Sequence, residues 1–346
     1  MLLDQHWNSV PGGTARSVVG LVDALVDHGT DVVGVHGQYA RSPVLELPET
    51  ISIQRLPVPG RLMTQMWSRS GTPSPDKWLS VDVLHAPAYV MPHTQIPVVA
   101  TIHDLAFKRY PEWFSTRGVA YLNRFVDRVR ETNSCVIVPS PATANDCAKA
   151  GIAEDRLHVI PWGIHVPEVS TMRIEQVRSR HGLPDRFVLF VGTLEPRKNL
   201  DALVAAIRLL DDVPLVVVGP DGWGDTSVEG IRLPSLSRPD LNAVMAASSV
   251  LVYPSHFEGF GLPVLEAMSV GTPVVTTAET APAQVLGDGG LAVDTQSPQA
   301  IAGAIEAVLG DDALASRFGE AGHLRAHDFE WNATAEATRR VYEASR

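Results

Sequence analysis

The feature that most constrains this chain is a recurring pair: a short, continuously apolar run rich in β-branched residues, then a stretch with helical periodicity. Val32-Val33-Gly34-Val35, Pro97 to Ile102 and Val136-Ile137-Val138 are such runs in the first half. Phe187 to Val191, Pro214 to Val218, Val250 to Tyr253 and Pro273 to Thr276 are their counterparts in the second. A strand that is apolar at every position, rather than at every other one, is buried on both faces. Helical stretches such as Ala15 to Asp27, Leu200 to Leu210 and Ala300 to Leu309 lie between the runs. Strand alternating with helix predicts an α/β fold, a parallel sheet with helices on both faces.

The pattern restarts. At 346 residues the chain is long enough for two domains of ordinary size. Pro161 to Glu168 holds Gly163 and two prolines between patterned segments and reads as a linker, and a new series of strands begins at Phe187. This predicts two doubly wound domains in tandem, residues 1–163 and 164–330, with a cleft between them. Trp331 to Arg346 reads as a separate amphipathic helix. In such sheets ligands sit beyond the carboxyl ends of the strands.

Composition narrows the function. A net charge of -11 argues against a general nucleic-acid binder, which needs a basic surface. Basic and acidic residues nearly cancel up to about residue 160, so the excess of acid belongs to the second half. If that half binds an anion, it needs a local basic cluster. Cys135 and Cys147 stand in no metal or C-x-x-C spacing, and Cys135, in an apolar run, reads as a buried core thiol. Asp4, Gln5 and His6 interrupt the N-terminus, so no signal peptide is visible, and no apolar stretch is long enough to span a membrane. These features suit a reducing, cytoplasmic setting.

The segment His256 to Met268 carries the strongest chemical signal. Pro263 suits the first turn of a helix. Gly259 and Gly261 let a ligand approach the backbone N–H groups, which at a helix start attract phosphate. Glu266 is expected in the first helical turn, favoured there by the helix dipole. Glu266 and Glu258 can each accept hydrogen bonds from sugar hydroxyls. The alternative is a structural glycine loop with an ordinary first-turn charge. Gly192 to Leu200 follows the strand ending at Val191, and its Arg197 and Lys198 are the basic cluster the acidic half needs. Arg grips phosphate oxygens in pairs and Lys adds a point charge; the alternative is a solvated helix start.

Two further segments lie in the first half. Pro11-Gly12-Gly13-Thr14-Ala15-Arg16, after a short strand at Leu2-Leu3, makes a second anion-binding helix start, with Arg16 in its first turn. Thr101-Ile102-His103-Asp104-Leu105 ends a strand and is expected to point His103 into the cleft; a lone His is as readily structural. His85 and His93 are weaker candidates. The chain has no D-x-D pair, no His/Cys/Asp set with metal spacing, no G-x-S-x-G, no phosphate-loop lysine and no G-x-G-x-x-G after the first strand. Arg197 and Lys198 are therefore expected to do the electrostatic work of a divalent ion, with no cofactor.

Taken together, Glu258-x7-Glu266, Pro196-Arg197-Lys198-Asn199, Gly12-Gly13-Thr14-Ala15-Arg16 and His103-Asp104-Leu105 resemble retaining glycosyltransferases of family 4, in the family's order and over almost the whole chain, including Phe329-Glu330-Trp331. The resemblance implies a GT-B fold of two Rossmann-like domains, with the last helix crossing back onto the first. It implies Arg197 and Lys198 as diphosphate ligands, Glu266 as the ribose ligand, and Glu258 with Gly259, Phe260 and Gly261 as partners of the transferred sugar. His103 is implied beside the reacting sugar, the Gly13 backbone near the diphosphate, and Leu236 at the base. Gly12, Arg16, Asp104 and Leu262 belong to the same donor-binding set. The chain departs from the family at Ala283-Gln284, where Pro-Glu is frequent, and at Pro234, where Gly is frequent.

The expected reaction is transfer of a hexose, of mannose or glucose type, from a nucleotide sugar to a hydroxyl acceptor by a metal-independent, front-face route that retains configuration. A non-catalytic scaffold subunit of the same fold and a nucleotide-sugar epimerase are the alternatives. The acceptor is expected to be a saccharide, a lipid-linked molecule or a small molecule, with possible peripheral membrane contact. Lys108 to Phe114, continuing through Arg117 to Arg130, mixes basic and aromatic residues and could receive a lipid-linked or anionic acceptor at a membrane surface; a partly buried helix with solvated arginines is the plainer alternative.

Overall fold

The computed structural model describes every residue except 9–11, 47–48 and 224–227. Pro11 of the N-terminal glycine motif therefore lies outside the described residues. The chain forms two compact units, Met1–Gly163 with Glu330–Arg346, and Ile164–Phe329. Among the described residues no helix is long and apolar enough to cross a membrane.

The first unit has a four-stranded parallel sheet in the order β3 (Leu84–Ala86), β4 (Val98–Thr101), β5 (Cys135–Val138), β6 (Leu157–Val159). A parallel pair, β1 (Val33–Gln38) and β2 (Ser52–Pro59), lies beyond it. The strand expected at Leu2-Leu3 is reduced to a single bridge, Leu2 with Val35. It still joins the two sheets, since Leu2 N–H reaches the His85 carbonyl at 3.0 Å and Leu3 N–H the Val35 carbonyl at 2.8 Å. Asp4 to Trp7 then turn into a 3-10 helix, because polar Asp4, Gln5 and His6 do not extend a doubly buried strand.

The last helix, Trp331–Ala344, belongs to this unit. Val341 completes a cluster with Val99, Ile137 and Ile160. Tyr342 Oη lies 2.6 Å from His85 Nδ1, and Thr334 donates to the Pro161 carbonyl at 2.8 Å. Gly20, in the helix Gly12–Asp27, makes room for Trp331: a Cβ there would fall 2.3 Å from the indole ring. Cys135, expected in the core, is only half-buried at the edge of that cluster, whereas Cys147 is fully buried.

The second unit is a six-stranded sheet in the order β12-β11-β10-β7-β8-β9, comprising β7 (Val188–Val191), β8 (Leu215–Val218), β9 (Ile231–Leu233), β10 (Val250–Tyr253), β11 (Val274–Thr277) and β12 (Gly290–Val293). Every pairing is parallel. The four central strands are buried at nearly every position, as their unbroken apolar runs require, and β9 and β12, which the apolar pattern does not mark, are the half-exposed edges.

Candidate functional site

Loops that follow parallel strands leave from one edge of the sheet, so sheet order decides which of them meet. β7 pairs with β10, which places residues 192–199 beside residues 254–261. Backbone packing fixes the first of these loops. Gly219, after β8, has φ +150°, and a Cβ there would lie 2.1 Å from the Gly192 carbonyl oxygen. Asn199 closes the 3-10 turn Pro196–Lys198 in the left-handed region at φ 54°, and its side-chain amide donates to the Pro254 and Thr295 carbonyls at 3.2 and 2.9 Å. His256 N–H donates to the Arg197 carbonyl at 3.0 Å.

Glu258 stands at the centre of the side chains so held. Its Oε2 accepts from Arg197 Nη1 at 2.7 Å. Its Oε1 accepts from Lys198 Nζ at 2.6 Å and from Tyr253 Oη at 2.9 Å. Lys198 also donates to Tyr253 Oη at 2.6 Å, and Arg197 Nη2 to Glu195 at 2.6 Å. Lys198 is buried. Burial alone pushes the Glu258 carboxyl up, but Arg197, Lys198 and the two bonds to Oε1 outweigh it and hold the group at about 2. Burial pulls Lys198 below the ordinary lysine range against the pull of Glu258, and burial with the adjacent carboxylate raises Tyr253. The basic pair that the acidic half needed is present, and two carboxylates neutralise it. Neither residue is the solvated surface charge of the plainer alternative.

The helix Leu262–Ser269 begins at Gly261, whose φ of +107° only glycine adopts readily, and Pro263 sits in its first turn. Glu266 is the fifth residue of that helix, so it lies past the first turn where it was expected. What holds it is a neighbouring cation rather than the helix dipole: it is 3% exposed and accepts from Arg238 Nη1 at 2.6 Å. Arg238 opens the helix Arg238–Ala247, directly after the loop that carries half-buried Leu236. Gly259 and Phe260 are buried, and Leu262 is half-buried.

In the first unit, His103 lies half-buried after β4, its Nε2 2.7 Å from the Pro87 carbonyl and its ring 5.5 Å from that of Trp162. Burial lowers its pKa, so it is neutral near pH 7. Asp104 accepts from Ala106 N–H at 3.0 Å and so starts the short helix Ala106–Arg109. Gly12 (φ +64°), Gly13 and Arg16 are exposed, and Arg16, the fifth helical residue, is also past the first turn. His85 is excluded as a site residue: it is buried between Tyr342 and Thr101, and burial drives it to about 3. His93 is exposed. Among the described residues no group of three or more His, Cys, Asp or Glu side chains is placed to hold a metal ion.

Two family models match the chain, Glycosyltransferase Family 4 over residues 11–167 and Glycosyl transferases group 1 over residues 173–325. A glycogen synthase of Mycobacterium tuberculosis is 30% identical over 297 residues, 77% of this chain and 69% of its own. The chain belongs to the group 1 glycosyltransferases. It is also similar to the O-antigen chain mannosyltransferase B of Escherichia coli, 28% identical over 281 residues, 75% of this chain and 74% of the relative. The Anabaena protein HepE, solved with UDP and glucose, superposes with a TM-score of 0.75 at 18% identity, covering 97% of each chain. Sucrose-phosphate synthase of Thermosynechococcus elongatus superposes with 0.73 at 22% identity, covering 96% of this chain and 93% of that one. At such identities the two superpositions show the fold, and the fold is GT-B.

In this glycosyltransferase the sequence motifs singled out Arg197, Lys198, Glu258 and Glu266 as candidates but not the residues that pair with them. Tyr253 reads as the last apolar residue of a strand, and only its hydroxyl, at the carboxyl end of a central strand, hinted at more. Asn199 and Glu195 lie inside the quoted motif without a role, and Arg238 sits in the helix start after Leu236, where nothing in the spacing links it to Glu266.

Proposed function

We propose that this glycosyltransferase takes a hexose from a nucleoside-diphosphate sugar and passes it to a hydroxyl acceptor with retention of configuration and without a metal ion. The observation that carries the reading is the cluster of Arg197, Lys198 and Tyr253 on Glu258 at the carboxyl ends of β7 and β10. Two cations held on one carboxylate form a site that a diphosphate enters by exchange. The phosphates take Arg197 and Lys198, and Glu258 is released to accept hydroxyls of the sugar. The N–H groups at Gly259, Phe260 and Gly261 add to the anion site, Glu266 takes the ribose hydroxyls, and Leu236 lies at the base. The mannosyl transfer named for the E. coli relative, and UDP and glucose in HepE, support a hexose on a nucleoside diphosphate.

In the reaction so read, the bond from the anomeric carbon to the phosphate oxygen breaks first, leaving an oxocarbenium-like sugar. The acceptor oxygen bonds to that carbon on the face the phosphate leaves, and the acceptor proton passes to a phosphate oxygen. Arg197 and Lys198 stabilise the charge that builds on the diphosphate, the work a divalent ion does elsewhere. His103, neutral near pH 7, contacts the sugar's hydroxyls, and Gly12, Gly13, Arg16 and Asp104 complete the donor set. The test is release of nucleoside diphosphate from a panel of GDP-, UDP- and ADP-sugars, with and without EDTA. Release without acceptor and without metal supports the reading. Silence with every donor favours a scaffold subunit, and interconversion of the donor sugar favours an epimerase.

A further inference from the structure

Among the described residues of this acidic chain, the first unit carries a strongly basic face that the proposed donor chemistry does not use. In the first unit the helix Thr116–Glu131 packs between the helix Gly60–Ser70 and the helix Ala106–Arg109, which continues into the turn Pro111–Trp113. These four elements hold eight basic residues against three acidic ones, in a chain of net charge -11. One of the three acids, Asp127, is paired with Arg130 at 3.3 Å. Arg61, Arg69, Lys108 and Arg117 are exposed and form no ion pair among the described residues, and Arg124 is held outside one by Ser68 at 3.2 Å.

Helix geometry decides which of these charges reach solvent. The helix Gly60–Ser70 buries Met63 and Trp67 completely, which turns Arg61, Leu62, Gln65 and Arg69 to solvent. The neighbouring helix buries Phe125, Val126 and Val129, and Arg117, Tyr121, Arg124 and Arg128 follow one another at four- and three-residue spacing along one side. Leu62, a large apolar side chain, is 49% exposed beside Arg61.

We propose that this face docks the enzyme on an anionic lipid surface. A single phosphate needs two or three converging cations, whereas these are spread along three adjacent helices. That distribution matches an extended negative plane. An exposed leucine among the arginines adds the shallow apolar insertion that separates a lipid interface from a soluble polyanion. The proposal extends the acceptor side of the function above, placing the enzyme where a lipid-linked acceptor resides, and it stands apart from the donor assignment.

The test is co-sedimentation of the full chain with vesicles of phosphatidylcholine alone and of phosphatidylcholine with phosphatidylglycerol. The wild type is expected to sediment only with the anionic vesicles, and less as salt rises and shortens the Debye length. Arg61→Glu/Arg69→Glu/Arg117→Glu is expected to lower the bound fraction about ten-fold or more, and Leu62→Ala to lower it at fixed charge. Donor hydrolysis in solution, run in parallel, checks that the variants are folded; if it persists while vesicle binding is lost, docking and donor chemistry are distinct. Wild type that stays in solution with anionic vesicles at low salt overturns the proposal, as does a triple variant that binds like wild type. Capture on heparin with no effect of Leu62→Ala on vesicle binding also overturns it, in favour of a soluble polyanion.

Discussion

At the scale of single residues, Glu258 sets both the charge balance and the stability of the cluster it forms with Arg197, Lys198 and Tyr253. Lys198→Ala or Glu258→Ala breaks a buried ion pair, a change that costs about 3–5 kcal/mol. The sequence alone predicts that such variants lose activity while remaining folded; the buried geometry adds a cost in stability. Urea denaturation is expected to show it, with the protein still folded at 25 °C, and turnover per folded molecule is expected to fall by about 10²–10³. Near-normal turnover in both variants would remove these residues from the site. The acid limb follows from the same pair. The folded-state pKa of Glu258 is depressed from 4.5 to about 2, so its stabilisation is complete above pH 4.5 and is lost as pH falls towards 2. The stability gap between wild type and Glu258→Gln should therefore be constant above pH 4.5 and narrow below it. Tyr253→Phe removes the hydroxyl that touches both charges. Since hydrogen bonds to charged groups contribute about 1.5–3 kcal/mol, kcat is expected to drop about ten-fold or more. Donor-hydrolysis kinetics would check this; an unchanged kcat would make Tyr253 a packing residue.

At the scale of elements, the loops after β7 and β10 work because particular backbones fit. Gly261 starts the helix Leu262–Ser269 at φ +107°, and a Cβ there would sit 3.0 Å from three atoms of Pro282. Gly261→Ala is expected to cost about 1–3 kcal/mol of stability. It should also weaken nucleotide binding, because the N–H groups of the helix start would move. Thermal shift with and without the preferred nucleotide separates the two effects: a lower melting temperature with an unchanged ligand-induced rise would leave only the first.

At the scale of the whole molecule, the last helix lies far in sequence from the unit it completes. Val341 and Trp331 are buried against residues from the first half of the chain, and burying a large apolar side chain is worth about 1.5–3 kcal/mol. Truncation after Phe329 is expected to expose Val99, Ile137 and Ile160 and to unfold Met1–Gly163 selectively. Hydrogen exchange would then show protection lost in β3 to β6 and kept in β7 to β11. Uniform protection in both units would mean that the helix is dispensable.

The sequence by itself determined the class of fold and the central strands, because a strand buried on both faces must be apolar at every position. It also marked Arg197, Lys198, Glu258 and Glu266, because motif and strand end coincide there. It did not mark β2, β3, β6 or β9, where polar residues or prolines interrupt the apolar run, or β12, whose Gly290-Leu291-Ala292-Val293 has only one β-branched residue. Nor did it show that Glu258 neutralises the basic pair, that Tyr253 joins them, or that Arg238 rather than the helix dipole holds Glu266. Those facts depend on which strand lies beside which and on where side chains distant in sequence end up. Only the tertiary structure decides that, because hydrogen bonds and ion pairs act over a few ångströms of space, whatever the distance along the chain.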